Sequence, residues 1–338
     1  MESTKPLLAT ARMNTASSGA AMRICVGIAL LACVGRTTRT IGLAESSENP
    51  PPSKSELAKD SSASLDRYAK PELLIEPSAL AKPETARRYI VLDARQRKAF
   101  DAERVPGARW VDAAGWAKAF GSGDDAKTWG EKIGAMGLQR DRPVVVYDGN
   151  SAKDAARIWW ILRYWGVTNV RLLNGGWIGW KAAGLLTESD KPQLVEPKTL
   201  VAQPKRLATK AQLLGSHKSA SLQIVDARSL AEFCGIEKQT NKRAGAIPGA
   251  KHLEWSSLLD KKTQRFKTAE QLRALFQEAG IALNRPTATH CQSGGRAAVM
   301  AFAMELMGAA EVSNYYASWG EWGNADDTPV VVKETEKR

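Results

Sequence analysis

One cysteine in this chain stands where its sulfur could react. In Thr287-Ala288-Thr289-His290-Cys291-Gln292-Ser293-Gly294-Gly295-Arg296-Ala297-Ala298 the thiol of Cys291 is followed, within one short loop, by Gly294, Gly295 and Arg296. The run after Pro286 reads as a buried strand, and residues 296–306 have helical composition. A thiol between a strand end and a helix start sits where backbone N–H groups converge and the helix dipole is positive. Both effects favour thiolate over thiol. The glycines let the loop curl so that successive amides face one centre, a nest for an anion or a charged sulfur. A lone cysteine beside a turn is more often a structural filler. The thiol, the glycine pair and the arginine together point instead to nucleophilic chemistry.

The rest of the composition narrows the alternatives. A length of 338 residues suggests two domains, and 43 % hydrophobic residues suffice for two cores. The formal net charge is +12, but the basic residues are scattered and no Lys/Arg block runs beside aromatics. Nucleic-acid binding is therefore not expected, whereas a general preference for anionic small molecules is. Cys25, Cys33, Cys234 and Cys291 form no CxxC pair, and His217, His252 and His290 form no ligand-like cluster. Neither a metal nor any other cofactor is expected.

Positioning Cys291 is the task of two repeated halves behind a leader. Residues 1–44 read as a targeting segment: Arg23 precedes an apolar run, 24–34, too short to span a membrane but as long as a signal-peptide core. Leu30-Leu31-Ala32-Cys33 is similar to a lipobox, which would anchor the chain through a lipid on Cys33. Cleavage after Gly42-Leu43-Ala44 is the competing choice. Export to a periplasm or lipid anchoring is the expectation, with organelle targeting, such as mitochondrial, as the alternative. Residues 45–65, with Pro50-Pro51-Pro52 and many serines, read as a disordered tether.

In residues 66–185, strands are expected at 89–93, 143–148 and 170–173, and helices at 126–136, at 152–164 and from Gly175. Such alternation predicts an α/β fold with a parallel sheet and helices on its faces. Residues 186–206 suit a linker, and residues 207–332 repeat the first half. Asp226-Ala227-Arg228 matches Asp93-Ala94-Arg95, and Pro248-Gly249-Ala250 matches Pro106-Gly107-Ala108. Trp319-Gly320-Glu321-Trp322 matches Trp177-Ile178-Gly179-Trp180, and Cys291 falls where Asp148 falls. Asp148 cannot carry a transferable sulfur, so the first half is expected to be structural or to shape the cleft.

These residues resemble the tandem-domain rhodanese-like sulfurtransferases, the family of thiosulfate and 3-mercaptopyruvate sulfurtransferases. The resemblance spans residues 70–332. It rests on Tyr147-Asp148-Gly149, Ala156-Arg157-Ile158-Trp159-Trp160 and Leu173-Asn174-Gly175-Gly176 in the first half. In the second it rests on Val225-Asp226-Ala227-Arg228, Ile247-Pro248-Gly249-Ala250, the Cys291 loop and Ser318-Trp319-Gly320-Glu321-Trp322-Gly323. It implies two tandem rhodanese-like domains, each a mainly parallel sheet flanked by helices, the second catalytic. It also implies Cys291 as a nucleophile that takes sulfane sulfur from a small-molecule donor, holds it as a persulfide and passes it to cyanide or a thiol. The amides of Gln292, Ser293, Gly294, Gly295 and Arg296 would surround that persulfide. A monomer is expected.

Where the sequence departs from the family, donor choice is affected. Ala246 replaces the histidine of a common Gly-His-Ile-Pro-Gly-Ala segment. The loop keeps the serine of mercaptopyruvate enzymes (Ser293) but differs at Gln292, Gly295 and Arg296. It lacks the two basic residues that often follow the cysteine in thiosulfate enzymes, and residues 66–205 contain no histidine. Thiosulfate is favoured, because nearby arginines suit its double charge. A tethered persulfide carrier with little turnover of its own is the reading from another class. Cysteine phosphatases of the same fold have five residues between cysteine and arginine. Here only Gln292-Ser293-Gly294-Gly295 intervene, so phosphatase or arsenate reductase ranks lower.

The supporting residues carry narrower expectations. Arg296 either contacts the donor or pins the loop; as a cation at a helix start it needs a partner, so pinning by Asp226 or Glu232 is favoured. By resemblance, Arg243 lies in a segment that approaches the donor anion, with a solvated loop charge as the equal alternative. Trp319 is expected to pack the last helix, with a second reading as a wall of the cleft. Asp226 and Arg228 read as a structural pair and His290 as a buried, satisfied histidine. Cys234 reads as a filler that could cap Cys291 as a disulfide if close enough.

Overall fold

The structure, a computed structural model, describes residues 68–123, 125–138, 142–189, 204–219 and 221–332. The leader (1–44), the tether (45–65), Cys25, Cys33 and most of the linker lie outside the described residues. In the first half the chain runs β1 (Leu74–Ile75), α1 (Pro77–Leu80), α2 (Pro83–Ala86), β2 (Ile90–Asp93), α3 (Arg97–Ala102), β3 (Arg109–Trp110) and α4 (Ala113–Gly121). Then follow α5 (Ala126–Ala135), β4 (Val144–Tyr147), α6 (Lys153–Tyr164), β5 (Val170–Leu173) and α7 (Gly176–Ala182). The second half runs α8 (Lys210–Ser219), β6 (Gln223–Asp226), α9 (Leu230–Cys234), β7 (Lys251–His252) and α10 (Ala269–Glu278). It closes with β8 (Thr287–His290), α11 (Gly295–Leu306), β9 (Val312–Asn314) and α12 (Ser318–Trp322).

Val144-Val145-Val146-Tyr147 is apolar at every position because a central parallel strand is covered on both faces, and all four residues are fully buried. It sits in a five-stranded sheet of order β1-β5-β4-β2-β3; the second sheet has the order β7-β6-β8-β9. Every pairing in both is parallel. The two orders superpose, β2 to β5 on β6 to β9, with β1 added at one edge of the first. At the same edge of the second sheet a parallel bridge joins Leu207 to Asn314. The repeat read in the sequence is thus a repeat of topology. In register, Asp226 lies beside His290, as Asp93 lies beside Tyr147.

The two halves share their largest core. Every residue of α11 except Arg296 is buried, as expected of a helix that is apolar all round. One side of α11 lies on β8 and β9 and another on α6, where Trp159 meets Phe302 edge-on at 5.0 Å. Around this seam the Lys70 N–H donates to the Leu306 carbonyl (3.1 Å), and the Phe266 N–H donates to Asn174 Oδ1 (3.1 Å). Glu305 is held between Arg206 (2.5 Å) and Arg163 (3.5 Å). Among the described residues no helix is long and apolar enough to cross a membrane.

Candidate active site

Cys291 follows β8 directly, and the chain turns there into α11. Cys291 is 1 % exposed while Ser293, two residues on, is exposed, so the loop climbs from the sheet edge to the surface within two peptides. Each carbonyl of the loop is tied to a group outside it. The Cys291 carbonyl accepts from the Trp319 N–H (2.9 Å) and that of Gln292 from the Gly320 N–H (3.0 Å). The Ser293 carbonyl accepts from Arg157 Nη1 (2.8 Å), and that of Gly294 from Asn314 Nδ2 (2.9 Å). A trans peptide sets N–H opposite C=O, and no peptide in the described residues is cis. The N–H groups of Gln292, Ser293, Gly294 and Gly295 therefore point away from those partners. Among the described residues no acceptor meets any N–H from Gln292 to Ala297. The last three of these are the ordinary orphan donors of a helix start.

The first half shows where such donors aim. Asp148 Oδ1 accepts from the N–H groups of Asn150 (3.0 Å) and Ala152 (3.0 Å). Its Oδ2 accepts from those of Asp154 (2.8 Å) and Ala155 (2.9 Å). A carboxylate thus fills the amide cradle of its own loop. Burial pushes the Asp148 carboxyl up, and the amides pull the other way. By position along loop and helix the counterparts of these four donors are Ser293, Gly294, Arg296 and Ala297, all without an acceptor. The cradle that an anion fills beside α6 is present and free around Cys291.

The other expected residues fall into three groups. Arg296 takes Glu232, one of the two partners expected, in a fork: Nη1 to Oε2 at 2.6 Å and Nη2 to Oε1 at 2.9 Å. Burial works against the Arg296 charge, but Glu232 and the adjacent Cys291 sulfur outweigh it, and the guanidinium holds its proton more tightly than usual. Burial likewise opposes the Glu232 charge, yet Arg296 brings the carboxyl below its ordinary range. Glu232 also closes a capping box with Ser229 at the start of α9, which fixes it in place. Asp226 and Arg228 form the structural pair expected, with Arg228 Nη2 2.6 Å from Oδ2 and both side chains at most 1 % exposed. Gln292 turns its amide aside to Asn241, each donating to the other at 2.9 and 3.1 Å.

Two expectations need correction. The Arg243 guanidinium is committed to the carbonyls of Trp322 (2.8 Å) and Thr328 (2.7 Å), and also meets Ala325, so it stitches the segment after α12 in place of the donor contact expected of it. For Trp319 the first reading holds and the second is dropped: it is 1 % exposed and packed in the core, Nε1 donates to the Arg243 carbonyl (3.2 Å), and Arg228 lies 4.3 Å over its ring. Arg228, Arg243 and Arg296 are therefore already engaged within the protein.

His290 is fully buried, as read, but not satisfied. Neither ring nitrogen has a hydrogen bond, and the nearest carboxylate oxygen, Asp226 Oδ2, is 3.5 Å from Nε2. Burial drives its pKa down to about 4, so the ring is neutral at pH 7. Cys234, at the end of α9, is buried and free, as is Cys291.

Sequence reasoning left four loop holders without a role. Ser318 Oγ accepts the Cys291 N–H (3.1 Å), and Asn314 holds Gly294. Tyr316 packs on Gly294, where a side-chain carbon would lie 2.6 Å from its ring. Arg157 comes from the opposite half. In α6 Arg157 lies between the buried Ala156 and Ile158, but residue type alone does not say what it reaches.

Comparison with known proteins agrees with this geometry. The rhodanese-like domain pattern matches residues 76–183 and 209–325. A thiosulfate sulfurtransferase of Azotobacter vinelandii is 32 % identical over 273 residues, covering 79 % of this chain and 100 % of the relative. A 3-mercaptopyruvate sulfurtransferase of Escherichia coli is 34 % identical over 208 residues, covering 60 % and 73 %. The crystal structure of SseA from Escherichia coli, described for the "rhodanese" fold of 3-mercaptopyruvate sulfotransferases, matches with a TM-score of 0.63 and 26 % identity, covering 74 % of this chain and 99 % of that one.

Proposed function

The chain belongs to the rhodanese-like family, and from that premise we propose that it is a sulfurtransferase whose Cys291 carries the sulfur. The Cys291 thiolate attacks the outer sulfur of thiosulfate, the sulfur–sulfur bond breaks, and sulfite leaves with the electron pair. With 3-mercaptopyruvate the carbon–sulfur bond breaks instead, and pyruvate leaves after its carbon takes up a proton. Either way the product on the protein is a persulfide. Cyanide then attacks the outer sulfur to give thiocyanate, or a thiolate attacks it to give a new persulfide, and the Cys291 thiolate returns.

The observation that carries this reading is the pair of matching cradles. Four amides surround the Asp148 carboxylate, and their four counterparts around Cys291 are free. A persulfide anion needs that same set of donors, held ready before the reaction begins. The reading includes export, supported by the apolar run behind Arg23; recovery of the mature chain from a periplasmic fraction checks it.

The test is steady-state turnover with thiosulfate and with 3-mercaptopyruvate, cyanide as acceptor. Cys291→Ser is expected to lose activity with both donors, and Cys234→Ser to keep most of it. Turnover surviving in Cys291→Ser would remove the mechanism. Stoichiometric loading of the wild-type protein without turnover would favour a carrier instead.

A further inference from the structure

Arg157 belongs to α6, in the half whose loop has no thiol, yet its guanidinium ends on the Cys291 loop. Nη1 donates to the Ser293 carbonyl at 2.8 Å and to the Tyr316 hydroxyl at 2.7 Å. Tyr316 in turn donates to the Ala117 carbonyl in α4 (3.3 Å), and its ring lies 5.4 Å from the guanidinium carbon. A side-chain carbon on Gly295 would fall 2.3 Å from Nη2, so the second glycine is the space through which the arginine passes. Among the described residues Arg157 has no carboxylate partner, whereas Arg228 and Arg296 each have one.

The consequence follows from the peptide between Ser293 and Gly294. Its carbonyl and its N–H point in opposite directions. Gly294 has φ +79°, a conformation glycine enters and leaves at little cost. Nothing intrinsic to this peptide stops it from flipping. A flip would put a carbonyl oxygen where an amide donor is needed, beside an anionic sulfur. Arg157 holds the carbonyl outward and so fixes the donor direction. It also adds a positive charge that no carboxylate among the described residues cancels.

Resting on the reading of Cys291 as nucleophile, we propose that Arg157 is a positioning residue for sulfur transfer. It acts across the seam between the halves to keep the Gly294 N–H turned toward the Cys291 sulfur, and its charge serves an anionic donor. On this view the half without a thiol supplies part of the working loop.

The test compares wild type with Arg157→Ala, Arg157→Gln and Arg157→Lys by two readouts. One is the rate at which iodoacetamide alkylates Cys291 at pH 7, which needs no turnover. The other is the split between kcat and KM for thiosulfate and 3-mercaptopyruvate. Arg157→Ala is expected to slow alkylation and to lower kcat about tenfold or more, as loss of one oriented donor does. Arg157→Lys should recover KM more than kcat, since it restores charge without the planar guanidinium that places Nη1 on the Ser293 carbonyl. A folded Arg157→Ala whose alkylation rate and kcat both stay within about twofold of wild type, well short of that donor loss, overturns the proposal. If Arg157→Ala does not fold, the charge-free Arg157→Gln takes its place, with the same two outcomes deciding. Failure of the Cys291 reading shows elsewhere, as turnover in Cys291→Ser, while the alkylation readout still reports on Arg157.

Discussion

His290 ends the strand that leads into Cys291, and its imidazole is fully buried without a hydrogen bond. Its counterpart in the first half is Tyr147, whose longer side chain reaches Asp93 Oδ2 at 2.5 Å and accepts the Val105 N–H at 3.2 Å. The shorter imidazole stops 3.5 Å from Asp226 and stays neutral, with its pKa driven by burial to about 4. The unfolded chain protonates this ring near pH 6.5, so between pH 6.5 and about 4 it binds a proton that the folded protein refuses. The stability from a neutral His290 is present above 6.5 and is lost as pH falls through that window, by about 3 kcal/mol in all. Burial opposes the charge on Asp226 and on Glu232, but Arg228 beside the first and Arg296 beside the second favour the ionised form of each carboxyl. The denaturant midpoint of wild type should drop between pH 6.5 and 4.5, and that slope should flatten in His290→Asn. Parallel slopes would mean that the ring is charged inside the fold. The misreading of His290 as satisfied has a plain cause: the sequence places the ring on the strand but does not give the distance to the neighbouring carboxylate.

At the scale of the element, the unit is the loop from β8 into α11, and its glycines have separate reasons. Gly294 has φ +79° and the Tyr316 ring against it; Gly295 makes room for Arg157. Gly249 shares φ +79° but has open space around it. Gly249→Ala should therefore cost strain alone, about 1–2 kcal/mol. Gly294→Ala should cost that and also displace the buried Tyr316 ring, with loss of sulfur transfer that exceeds its loss of stability. Chemical denaturation with parallel turnover assays decides this, and equal behaviour of the two variants would count against the loop geometry. The loop itself was legible because a thiol, two glycines and a cation stood together. Glu232 as partner of Arg296 was legible because a cation at a helix start needs a counter-charge. The role of Arg243 was not, because its acceptors are carbonyls of the segment 322–328, about which residue type says nothing.

At the scale of the molecule, duplication supplied two loops of one design and the chain uses them differently. One is closed by its own carboxylate, and the Ser151 N–H just beside it is taken by Gln264 of the other half (2.9 Å). The other is left free and is braced by Arg157, which lies 136 residues before its partner Ser293. Topology and repeat could be read from the sequence because strand patterns and matched turns are local signals. The brace could not, since it depends on how α6 and α11 pack.

The proposal of sulfur transfer through a persulfide stands on Cys291 as the carrier of the moving atom. Its most direct test is mass spectrometry of the intact protein and its peptides after brief exposure to thiosulfate or 3-mercaptopyruvate. A mass gain of one sulfur atom, mapped to the Cys291 peptide and removed by cyanide, is the predicted result. An unchanged Cys291 peptide, or a gain that cyanide leaves in place, would contradict it.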